Sequence, residues 1–119
     1  TGVISIIEAI MVEIFIFPGA LTLGAKIRMA RVGRHWRQVD LASQANVPQT
    51  AVSALERGLN IYPAAEKRIL QSLGLIPDGI EHYQKLITGY QNTPQLRDYF
   101  QKRLELLKNG QGFENRNEN

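Results

Sequence analysis

Apolar residues recur through most of this chain at the three-and-four spacing of amphipathic helices; only near the beginning do they run together. Leu23, Ile27 and Ala30 share one side of residues 23–32, with basic residues between them. Residues 38–45 set Val39, Leu41, Ala42 and Ala45 as the apolar positions of a second helix. A third, over 49–57, places Val52 and Leu55 on one side and meets its stop at Gly58. Pro63 suits the first turn of a fourth, in which Ile69, Leu70 and Leu73 face inward and Gly74 occupies the C-terminal cap. Asp78-Gly79-Ile80-Glu81 reads as a capping box opening a fifth helix that carries Ile80, Tyr83, Leu86, Ile87 and Tyr90. Thr93-Pro94 starts a sixth, with Leu96, Tyr99, Phe100, Arg103, Leu104 and Leu107 in period.

Residues 1–19 differ from this pattern. The stretch Val12-Glu13-Ile14-Phe15-Ile16-Phe17, ending at Pro18-Gly19, alternates poorly for a helix and predicts a short strand. Glu8 and Glu13 interrupt the apolar run and no Lys or Arg precedes Lys26, so neither a secretory signal nor a membrane span is expected. Met11 is a candidate translation start, with residues 1–10 then outside the natural chain. The expected organisation is an apolar arm over 1–19, an all-α domain over 20–90, a further helix over 91–108 and a polar, disordered tail over 109–119.

Composition narrows the chemistry. With 119 residues there is room for one hydrophobic core. The chain has no cysteine, which excludes disulfides, thiolate metal sites and a thiol nucleophile. His35 and His82 lie far apart, and neither a Gly-rich phosphate loop nor a catalytic cluster is recognisable, so no metal, no cofactor and no enzymatic activity are expected. The formal charge of +3 is unevenly spread. Residues 20–60 hold Lys26, Arg28, Arg31, Arg34, Arg37 and Arg57 against Asp40 and Glu56 alone, whereas the rest of the chain nearly balances. A basic excess gathered in one segment is the footprint expected of a nucleic-acid contact.

That segment holds the most constrained text in the sequence, Gln38-Val-Asp-Leu-Ala-Ser-Gln-Ala-Asn46-Val-Pro-Gln-Thr-Ala-Val-Ser-Ala-Leu-Glu-Arg57-Gly58. Two short helices joined by a tight turn must approach closely, which suits the small Ala42. The turn requires a left-handed residue, which Asn46 tolerates, and Val47, Val52 and Leu55 supply the shared apolar seam. With Leu23-Gly-Ala-Lys-Ile-Arg-Met-Ala-Arg31 before it and Leu70-Gln-Ser-Leu-Gly-Leu75 after it, the chain resembles the lambda-repressor-like, or Xre-type, helix-turn-helix family over roughly residues 20–90.

The resemblance implies a lambda-repressor-like bundle of about five helices whose third enters the DNA major groove. It also implies a working pair of glutamines, here Gln38 on a phosphate and Gln49 on a base, and an internal salt bridge between Arg31 and Glu56. The chemistry agrees. Glutamine can grip the N6 and N7 edge of adenine, and residues opening a recognition helix reach base edges first. Gln49, Thr50 and Ser53 are therefore the expected readers, with Ala54 against a thymine methyl. Arg34, Arg37 and Asn60 are the expected phosphate contacts, while Gln38 also fits a capping role and Arg57 also fits compensation of its helix dipole. Trp36 is expected in the core.

Departures from the family pattern are equally specific. His35 and Asn46 stand where glycine is usual, Arg37 and Pro48 where Ser or Thr would cap, and Leu59-Asn60-Ile61-Tyr62 lacks basic residues. The function implied is a sequence-specific double-stranded DNA-binding regulator, acting as a repressor of phage or mobile-element type. A homodimer joined through helix 94–108, the N-terminal arm or both is expected, located in the cytoplasm of a bacterium near the nucleoid. The alternative is an antitoxin that uses the same fold on DNA and an appended segment on a toxin partner.

Overall fold

The computed structural model describes residues 21–109. Within them six helices follow in order: α1 (Leu23–Gly33), α2 (Gln38–Ala45), α3 (Gln49–Glu56), α4 (Pro63–Leu73), α5 (Ile76–Gly89) and α6 (Pro94–Asn109). There is no strand among the described residues, and the body is an all-α bundle. The arm with its predicted strand, and the tail beyond Asn109, lie outside the described residues.

Local chemistry sets the helix ends. The Thr22 hydroxyl accepts the Ala25 N–H at 3.1 Å and caps α1. Arg37 is the N-cap residue of α2, and its own N–H is accepted by Asp40 Oδ2 at 2.7 Å, so the aspartate side chain does what a capping-box glutamate does elsewhere. The first four helices all terminate the same way. In each, the residue past the end takes a positive φ and two backbone N–H groups fold back onto the last carbonyls: His35 and Trp36 onto Val32 and Arg31, Asn46 and Val47 onto Ser43 and Ala42, Gly58 and Leu59 onto Leu55 and Ala54, Gly74 and Leu75 onto Gln71 and Leu70. Two of these positions are glycines, with φ +82° at Gly58 and +69° at Gly74. The other two, His35 and Asn46, hold φ of 59° and 56° despite carrying side chains.

Two expectations are corrected. Helix α5 starts at Ile76, with Pro77 in its first turn, so Asp78 lies inside the helix rather than capping it. Trp36 is half-buried against the core, with the Arg34 guanidinium 5.7 Å from its ring centre, because the left-handed turn at His35 delivers it to the rim.

The core is continuous. Ile27 of α1, Leu41 of α2, Val52 of α3, and Ile69 and Leu70 of α4 have no exposed surface. Full burial of each such side chain stabilises by about 1.5–3 kcal/mol. Helix α1 crosses α3 at Gly24, where a Cβ would overlap the carbonyl oxygen of Glu56. Helices α5 and α6 pair along their length and close against α4, with Tyr83, Leu104 and Leu107 completing the core. Helix α6 is part of the same packed body, with Leu104 and Leu107 in its core.

A buried polar cluster joins the last three helices. The Tyr83 hydroxyl lies 2.7 Å from Glu66 Oε2, and Arg103 Nη2 donates to Glu66 Oε1 at 3.2 Å. Burial, reinforced by the adjacent Glu66 carboxylate, pushes the Tyr83 pKa well above the ordinary phenol value. Desolvation works against the Arg103 charge, but Glu66 together with the Tyr83 and Tyr99 phenols outweighs that penalty and raises the guanidinium pKa above its ordinary value.

Candidate nucleic-acid interface

Helix α3 is short and two-sided. Val52, Leu55 and Glu56 point into the protein, whereas Gln49 and Thr50 are exposed and Ser53 and Ala54 half-exposed. The positions 49, 50, 53 and 54 follow the helical repeat, so the four residues expected to read bases share one outward face. The apolar seam behind them fixes α3 against α2 and α1, which makes that face a rigid feature rather than a loop.

A relay of side-chain hydrogen bonds organises its leading edge. Gln49 Nε2, at the first position of α3, donates to Oε1 of Gln38, at the first position of α2, across 2.7 Å. Gln38 Nε2 donates in turn to Glu56 Oε1 at 3.2 Å. The Glu56 side chain is fully buried and is gripped by Arg31, whose Nε reaches Oε2 at 2.6 Å and whose Nη2 reaches Oε1 at 3.1 Å. The third nitrogen of Arg31, Nη1, donates to the Trp36 carbonyl at 2.9 Å, and Arg28 approaches Glu56 from the solvent side at 3.5 Å. A buried carboxylate is tolerated only when its charge is paired and its lone pairs are used, and here one group accepts from three side chains on two helices. The effect is to run a fixed hydrogen-bonded line from α1 through the end of α3 to the exposed Gln49 amide. Gln38 sits just inside α2 and does not cap it; that place belongs to Arg37.

The expected phosphate contacts are placed less uniformly. Arg34 is turned back onto its own fold, with Nη1 on the Ala30 carbonyl at 3.0 Å and Nη2 on the Leu73 carbonyl at 3.4 Å, so it closes the C-terminal ends of two helices. Arg37 is exposed and forked onto Asp40 at 3.1 and 3.2 Å. The Arg37 side chain, then its backbone N–H, hold the Asp40 carboxyl below the usual aspartate range. Arg57 is exposed and its Nε donates to the Ser53 carbonyl at 3.3 Å, in the last turn of α3, as dipole compensation requires. Asn60 is exposed beyond α3.

Two features of this region escape sequence reasoning. Arg34 as a helix-closing group has no local signal, because Leu73 is far away in the chain. The Gly24 crossing, which lets α1 press on the end of α3, had a signal in the glycine at the second position of the helix. Among the described residues no group of acidic and histidine side chains is arranged to hold a metal ion, and no helix is long and apolar enough to cross a membrane. Comparison of the chain with known protein families, curated proteins and solved structures finds no match.

Proposed function

We propose that this protein is a sequence-specific double-stranded DNA-binding transcriptional regulator that reads the major groove with α3. The observation that carries this reading is the Gln38–Gln49 hydrogen bond at 2.7 Å. It leaves the outer face of an exposed glutamine amide at a helix start, held by a relay anchored on a buried ion pair, which is what bidentate recognition of adenine asks for. The clustering of basic residues in 20–60 supports an anionic partner. The N–H groups opening α2, with Gln38 and Arg37 beside them, suit a phosphate.

One α3 offers a small contact surface, so the operator is proposed to be a pseudo-palindrome read by a homodimer, with half-sites about one DNA turn apart. Helix α6 commits Arg103, Leu104 and Leu107 to its own core, which favours the regulator over an antitoxin holding that helix out for a toxin. Repression as the sign of control and a bacterial or phage cytoplasmic setting belong to the same proposal. The test is selection of duplexes from a random pool, followed by gel-shift with Gln49→Ala. The expected outcome is an enriched site whose affinity drops by about 1–3 kcal/mol in the variant, with preference relaxed at one base pair. An unenriched pool, or unchanged affinity and preference in the variant, contradicts it.

A further inference from the structure

Between α1 and the start of α5 lies a cleft of about 370 Å3. Leu21, Lys26, Met29 and Ala30 form one wall, and Leu75 and Asp78 the other. Its four apolar residues are only half-buried, so apolar surface is left facing water. Cover is close at hand in the chain itself, because Leu21, the first described residue, is part of the wall.

Residues 12–17 carry the matching chemistry. Val12, Ile14, Phe15, Ile16 and Phe17 surround a single charge, Glu13. In an extended segment alternate side chains share a face, which groups Glu13 with Phe15 and Phe17. Two rings and one carboxylate complement an apolar cleft with Lys26 at its wall. Lys26 has no ion pair among the described residues, Asp78 included. The connection fits as well. Only Pro18, Gly19 and Ala20 separate Phe17 from Leu21, a span of at most about 14 Å. Pro followed by Gly suits the two central positions of a type II turn, which brings the flanking residues within about 7 Å of each other. We propose that residues 12–17 fold back as a strap into the cleft of their own chain, with Phe15 and Phe17 against Met29, Ala30 and Leu75 and with Glu13 on Lys26. Lys26, Met29 and Ala30 lie on the side of α1 opposite Gly24 and Arg31, so the strap leaves α3 and its relay clear. It also commits the arm to its own subunit, and the homodimer proposed above then joins elsewhere.

The chain has no cysteine, so a single nitroxide can be attached at Ile16→Cys, on the outward face of the strap. The label broadens amide signals steeply with proximity. In full-length chain carrying both nitroxide and nitrogen isotope, diluted with excess chain carrying neither, the Met29, Ala30 and Leu75 amides are expected to broaden severalfold more than that of Ser53. Absent or uniform broadening overturns the strap. Preferential broadening seen only when nitroxide and isotope are on different molecules overturns the assignment to its own chain and makes a second copy the occupant. With Phe15→Ser and Phe17→Ser added to the labelled chain, the preferential broadening should be lost. Its persistence overturns the role given to the two rings.

Discussion

His35 and Asn46 show how much one backbone angle settles. Each ends a helix with φ near +60°, a conformation that costs side-chain-bearing residues about 1–2 kcal/mol, least for Asn. Both are nevertheless held there, because paired N–H groups at that place close the carbonyls of the preceding helix. His35→Gly removes the steric cost and adds back some chain entropy, for an expected net gain of about 0.5 kcal/mol. A rise in thermal midpoint checks this, and a fall would show that the imidazole makes a stabilising contact. The turn at Asn46 was legible from its place between two short apolar repeats, as were the stops at Gly58 and Gly74. The role of Arg34 was not, since a carbonyl at Leu73 becomes its partner only once α4 has folded against α1.

At the scale of elements, the position of α3 depends on how closely α1 approaches it. Backbone meets backbone at Gly24, so an added Cβ has no flexible neighbour to displace. Gly24→Ala gains helix propensity of up to about 1 kcal/mol, yet the overlap with the Glu56 carbonyl is expected to win, with a net loss of about 1–3 kcal/mol. Gly89→Ala, at the open end of α5 with nothing within 4 Å of a Cβ, is the control and should be neutral or stabilising. Denaturant midpoints for the two variants check the contrast; equal effects would mean that α1 and α3 do not press together. Helix existence followed from periodicity, but the start of α5 did not. Pro77 in a first turn proved the stronger signal than the acidic pair after it. Likewise, the place of Arg103 in the period of α6 is legible in the sequence, but only the packing of α4 against α6 shows Glu66 as its buried partner.

For the whole molecule, protonation offers a probe of how α5 sits in the bundle. Burial is the main cause that lowers the His82 pKa, with Lys26 and Lys85 adding to it and Glu66 opposing. A histidine whose folded pKa lies below its unfolded value of about 6.5 contributes stability above that value and loses it as pH falls toward the folded pKa. Thermal midpoints are therefore expected to fall as pH drops from about 7.5 to about 5.5, and His82→Gln should flatten that slope. Loss of the Asp40 cap belongs to a separate window, at and below the ordinary aspartate range, because its folded pKa is lowered.

Gln49 is proposed to read a base while Gln38 orients it. A double-mutant cycle on the selected duplex tests this most directly, comparing Gln38→Ala, Gln49→Ala and the pair. If the 2.7 Å hydrogen bond organises recognition, the losses are non-additive, with a coupling of about 0.5–3 kcal/mol. Losses that add within about 0.3–0.5 kcal/mol, or the absence of any duplex bound with sequence preference, would contradict the account.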